Sequence, residues 1–227
     1  MEKKSKESSQ VKGRVKGPIK FNLQLNEEQK EAKSLILENP VTVIRGMAGS
    51  GKTLLACQIS LDLLFSREVE KIIITRPTVA KDEIGWLPGG LREKMDPWLA
   101  PIYSNLYMLC DKEKVDKLIE DEKIEILPFP FMRGRTFLNS CVIVDEAQNV
   151  TNQQMEMVLG RLGIASKIMI CGDTSQIDLK SKKDSGLDFL NTVASRVEGV
   201  KVISLKKNHR HAIVPEILSI YSEYNDR

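Results

Sequence analysis

No apolar run in the 227-residue chain approaches the roughly 18 to 20 residues that a membrane-spanning helix needs. Its lysine-rich first residues also lack the apolar stretch of a secretory signal, so a cytoplasmic protein without membrane association is expected. Cysteine is scarce. Cys57, Cys110, Cys141 and Cys171 include no C-x-x-C pair and three of them sit in apolar runs, which argues for buried reduced thiols over disulfides or a zinc site. Histidine is scarcer still: both residues fall in His209-Arg210-His211, and without a third ligand nearby the pair is weak ground for a metal centre.

What is present describes an ordinary globular domain. Apolar residues make up 41% and charged residues 29%, and the length suits one α/β domain with little left for a second. The net charge of +3 hides an asymmetry, because residues 1–20 hold seven basic and two acidic side chains. That stretch reads as a disordered basic tail, either attracted to nucleic acid without sequence preference or merely solubilising, and residues 21–227 read as the folded domain.

Within that domain the strongest signal is Gly46-Met47-Ala48-Gly49-Ser50-Gly51-Lys52-Thr53, which fits Gly, four residues, Gly-Lys-Thr. The β-branched run Val41-Thr42-Val43-Ile44 before it reads as a buried strand, and Leu54 to Leu64 after it reads as a helix. Strand, glycine loop and helix together make a phosphate cradle: the backbone curls so that N–H groups point inward, at the positive end of a helix. Residues Gly46 through Leu54 are thus expected to hold a nucleotide, with Lys52 on the β- and γ-phosphates of ATP and the Thr53 hydroxyl on Mg²⁺.

Other stations follow in order. Asn26 caps a helix running to Glu38, and Gln29 on it carries an amide able to pair with adenine or simply to face solvent. The strand Glu70–Thr78 ends in Thr75, Arg76 and Thr78, placed to touch phosphate or a polymer backbone, although Arg76 can equally pair with a carboxylate. Trp86, in the broken loop Gly85–Gly90, either stacks on a base or fills the core. Helices are expected over residues 91–107 and 112–120, and Arg133 and Arg135 beyond them face nucleic acid, a neighbouring subunit or solvent.

The second chemical centre is the buried strand Cys141-Val142-Ile143-Val144 ending in Asp145-Glu146. There Asp145 suits a Mg²⁺ ligand and Glu146 a base that deprotonates the water attacking the γ-phosphate. Gln176, past the strand Lys167–Gly172, is suited to sense the γ-phosphate or the water, and Arg210 is a candidate arginine finger. A last strand covers Val200–Leu205, and a short helix runs from Pro215 to Tyr224.

With these stations placed, the chain resembles the PhoH-like ATPases, a phosphate-starvation-inducible family related to superfamily 1 helicases. The carriers are the phosphate loop, Thr75-Arg76-Pro77, Gly85-Trp86-Leu87-Pro88-Gly89 with Met95-Asp96-Pro97-Trp98, Asp145-Glu146-Ala147-Gln148-Asn149, and Gly172-Asp173-Thr174-Ser175-Gln176. The resemblance implies an α/β RecA-like P-loop core, mostly parallel with helices on both faces, that hydrolyses ATP with Mg²⁺ in association with single-stranded RNA or DNA, RNA favoured. It also raises Gln29 as an adenine reader. Superfamily 1 helicases clamp ATP between two such domains and this chain has room for one, so a homo-oligomer is expected, a ring among the options, with Arg210, Arg133 or Arg135 reaching a neighbour's γ-phosphate. Two rival readings remain: a small-molecule kinase, and a module in which ATP gates assembly with little turnover.

Overall fold

The computed structural model describes residues 24–77 and 91–225. The basic stretch 1–20, the expected domain start at Phe21, Thr78 and the loop carrying Trp86 lie outside the described residues, as do the side chains of Met95 to Trp98. Helix α1 (Glu27–Glu38) starts at a capping box, in which Asn26 Oδ1 accepts from Gln29 N at 2.9 Å and Gln29 Oε1 accepts from Asn26 N at 3.1 Å. Pro40 bars its continuation, and β1 (Val41–Gly46) follows. The glycine loop then leads into α2 (Lys52–Ser66), β2 (Lys71–Thr75), α3 (Leu91–Leu109) and α4 (Lys112–Glu120). After these come β3 (Ile124–Ile126), β4 (Ser140–Val144), α5 (Asn152–Leu159), β5 (Lys167–Gly172), α6 (Gly186–Arg196), β6 (Val200–Leu205) and α7 (Ile213–Asn225).

The six strands form one parallel sheet in the order β3-β2-β4-β5-β1-β6. Alternate strand residues face opposite sides, as the pleat requires. Ile72, Ile74, Cys141, Ile143, Met169 and Cys171 join a core built with α1, α2, α3 and α4, whereas Ile73, Val142, Val144, Ile168 and Ile170 join one built with α5 and α6. Both faces are covered, which is why these strands read as unbroken apolar runs. All four cysteines are buried, and none is joined in a disulfide.

The sheet differs from the sequence expectation at one edge. Ile124–Ile126, given no element in the sequence reading, pairs in register with Ile72–Ile74 as the outermost strand. Three residues are too few to show a period, and only the exposed edge of β2 makes them a strand. The strand order has a functional consequence: β5 lies between β1 and β4, so the phosphate loop, the Gly172-Asp173 turn and Asp145 all leave the same sheet edge side by side.

Candidate nucleotide site

The loop after β1 adopts the backbone that its glycines permit. Gly49 and Gly51 have φ of 87° and 81°, the left-handed region, and a Cβ on Gly49 would lie 2.7 Å from Arg210 Cγ. Lys52 Nζ bends back over the loop and donates to the carbonyls of Gly46 at 2.6 Å and Met47 at 3.1 Å. Ala48 N donates to Asp173 Oδ2 at 2.9 Å, so a carboxylate already meets one amide of the loop. Ser50 is buried and Met47 is exposed, so the side chains of these two loop residues have different surroundings.

Across the sheet edge, Thr53 Oγ1 donates to Asp145 Oδ1 at 2.6 Å. Asp145 is buried; burial, reinforced by Glu146, raises its carboxyl above the ordinary value, while the Thr53 bond and Arg76 pull it down. A hard divalent cation fits this pair, because a hydroxyl and a buried carboxylate are oxygen donors and the ion would relieve the charge. Among the described residues no group of three or more His, Cys, Asp or Glu is placed to hold an ion by itself, so such an ion would complete its shell with water and phosphate.

Glu146 has φ 50° and ψ 42°, a left-handed turn that swings its carboxylate off the strand axis. Gln148 Nε2 donates to Glu146 Oε2 at 2.7 Å, and Arg76 Nη2 lies 3.4 Å from Oε1. The other end of the Gln148 amide accepts from Asp173 N at 3.0 Å. A single chain of hydrogen bonds thus runs from Glu146 through Gln148 and Asp173 to the phosphate loop.

The segment after β6 closes the other side. Its Lys206 and Lys207 amides donate to Glu28 Oε2 at 2.8 and 3.2 Å, holding that carboxyl below its ordinary value. His209 N donates to Gly49 O at 3.0 Å, and Asn208 Nδ2 reaches Ala48 O at 3.4 Å. Gln29 Nε2 lies 3.5 Å from His209 Nε2 beside Gly51, which places the Gln29 amide at the mouth of the loop. A cavity of about 460 Å³ results, and Lys52, Thr53, Asp145, Glu146, Gln176 and Arg210 all line it.

Several expectations need correction. Thr75 is fully buried and cannot touch a polymer; its carbonyl accepts from Asp145 N at 2.8 Å and locks β2 to β4. Arg76 takes the other reading open to it in the sequence and pairs with a carboxylate, that of Glu146. Arg135 is bound through both Nη atoms to Glu125 of its own chain, at 2.7 and 2.8 Å, and Arg133 lines a separate cavity with Gln153 and Gln154. Of the three arginines, Arg210 lines the site, and it does so in its own chain.

A family model described as PhoH-like protein matches residues 23–222. The chain belongs to the PhoH-like protein family. A PhoH-like protein of Synechocystis is 43% identical over 196 residues, covering 85% of this chain and 60% of that protein. One of Bacillus subtilis is 40% identical over 200 residues, covering 87% and 63%. This PhoH-like chain therefore spans about three-fifths of the length of these curated relatives. Among solved structures, the large terminase of a thermophilic bacteriophage matches 86% of this chain and 49% of its own, with a TM-score of 0.51 at 9% identity, a likeness of fold. The fold is that of P-loop NTPases.

Several residues at the site carry no nucleotide role in the sequence reading. His209 was weighed there as half of a metal pair; its place beside Gln29 depends on β6 and α1 meeting. Asn105 and Met108 come to the cavity from α3, far away in sequence. Gln148 carries no spacing signal, and only the turn at Glu146 brings its amide between two loops.

Proposed function

We propose that this PhoH-like chain binds ATP, hydrolyses it with Mg²⁺, and couples turnover to single-stranded nucleic acid, RNA in preference to DNA, in the cytoplasm. The observation that carries the reading is the single cavity on which cation, hydroxyl, two carboxylates, Gln176 and Arg210 converge. When ATP enters, Lys52 leaves the Gly46 and Met47 carbonyls for the β- and γ-phosphates, and the Ala48 amide exchanges the Asp173 carboxylate for a phosphate oxygen. Thr53 and Asp145 would hold Mg²⁺, which would supply neutralisation of phosphate charge.

Glu146, held by Gln148 and Arg76, accepts the proton of a water whose oxygen attacks the γ-phosphorus while the bond to the ADP oxygen breaks. Arg210 offsets charge on the transferring group, and Gln176 holds the water or the γ-phosphate through its amide. Gln29 and His209 flank the base. The resemblance to a helicase-related family supports the nucleic-acid half of the reading.

The test is phosphate release from ATP by purified protein, with and without single-stranded RNA or DNA, using Glu146→Gln as the blank. Stimulation by the polymer that weakens with added salt supports coupling. Turnover by Glu146→Gln equal to wild type would overturn the role of the base, and turnover indifferent to both polymers would remove nucleic acid from the function.

A further inference from the structure

Asp173 has each of its polar atoms in a hydrogen bond. Its carboxylate is buried, with Oδ2 accepting from Ala48 N at 2.9 Å and Oδ1 accepting from Ser175 N and Oγ at 3.0 and 2.6 Å. Its own amide donates to Gln148 Oε1 at 3.0 Å, and its carbonyl accepts from Gln176 N at 3.0 Å. The side chain thus holds the phosphate loop, while the backbone holds both the amide that grips Glu146 and the residue expected to meet the γ-phosphate.

The carboxylate has only neutral donors. They are two backbone amides and a hydroxyl, whereas Lys52 is turned onto the Gly46 and Met47 carbonyls. A buried anion without a countercharge is costly unless its surroundings suit an anion, and an N–H of a glycine loop leading into a helix suits one. The Asp173 carboxylate therefore stands where a phosphate oxygen would, and two anions at one amide repel each other.

We infer that Asp173 is a positioning residue that reports occupancy of the phosphate loop to Glu146 and Gln176. A phosphate oxygen that takes the Ala48 amide expels the carboxylate, and the turn after β5 moves with it. That turn is packed against Gln148: a Cβ on Gly172 would lie 3.2 Å from Gln148 N and 3.3 Å from its Oε1, so the two shift together. Gln148 passes the movement to Glu146 Oε2, and the Asp173 carbonyl passes it to Gln176. The base and the Gln176 amide then reach their working places only when the loop is filled. This role presupposes ATP in the cavity, as proposed above, and adds to that site a control on when it turns over.

The test uses the whole chain and two variants: Asp173→Asn, which removes the charge at nearly constant shape, and Asp173→Ala, which removes the tie to Ala48. Unchanged circular dichroism verifies folding. The probe is the non-hydrolysable ATP analogue with an imido β,γ-bridge, titrated calorimetrically with Mg²⁺. Both variants are expected to bind it about 10-fold more tightly than wild type, because a charge-assisted bond and a competing anion are gone. Their ATP turnover should fall at least about 10-fold although KM is lower, since the base no longer follows the phosphate. A merely structural Asp173 predicts weaker binding instead. In wild type the side-chain amide resonance of Gln148, assigned by its loss in Gln148→Met, should move when the analogue binds, and in Asp173→Ala it should stay. Affinity in both variants no better than wild type, or a Gln148 resonance that moves equally in Asp173→Ala, would sink the inference and leave the nucleotide site standing. Failure of wild type to bind the analogue would remove the ATP reading, and this role with it.

Discussion

Asp145 sits where burial and function pull in opposite directions. Its raised carboxyl means that ionisation in the folded chain costs stability, a cost that a bound cation offsets. Asp145→Asn is therefore expected to melt at or above the wild-type temperature without nucleotide, yet to lose the upward shift that Mg²⁺ and ATP give wild type; a thermal scan with and without them checks both halves. Gln148 is a positioning residue in this reading. Gln148→Ala should lower turnover by roughly 10- to 100-fold with ATP affinity retained, since a base displaced by about an ångström loses that much. Arg135 provides the contrasting case. Its two bonds hold the Glu125 carboxyl below its ordinary value, so their stabilisation is present above the unfolded carboxylate range and fades as pH falls through the lowered value. For this half-buried pair Arg135→Met should cost about 1 kcal/mol at neutral pH, less in acid, with turnover per folded molecule unchanged; denaturant titrations at two pH values with an assay decide it.

The loop between β1 and α2 is an element whose shape and chemistry cannot be separated. Gly49→Ala would put a Cβ at positive φ and 2.7 Å from Arg210, so it should abolish nucleotide binding while the sheet, packed elsewhere, keeps its melting temperature within a few degrees. Fluorescent-nucleotide titration and a thermal scan separate the two. Helix α1 gives the reverse separation: Asn26→Ala removes the cap and should cost about 0.5–2 kcal/mol, leaving ATP affinity unchanged. At this scale much was legible. The cap at Asn26, the stop at Pro40, the glycine loop and the apolar strands are local signals. Edge strand β3 was not legible, because three residues become a strand only by pairing with β2.

For the whole molecule, covering both sheet faces removes every cysteine from solvent. Burial pushes the Cys141 thiol up to about 11, and the other thiols lie within the same core. The native chain should therefore be inert to an aromatic disulfide reagent at neutral pH, and four thiols should react together on unfolding; fast native reaction of any one would contradict the packing.

By itself the sequence determined the fold class, the phosphate loop and the carboxylate pair, because each is encoded within a dozen residues by period, glycine placement and a strand that ends in acid. Tertiary structure alone decided which side chains share the cavity. His209, Asn105 and Met108 arrive from distant segments, Thr75 is withdrawn into the core, and Arg135 is claimed by Glu125. Strand order is the physical reason: with β5 inserted between β1 and β4, the loops that meet at one edge are neighbours in space and strangers in sequence.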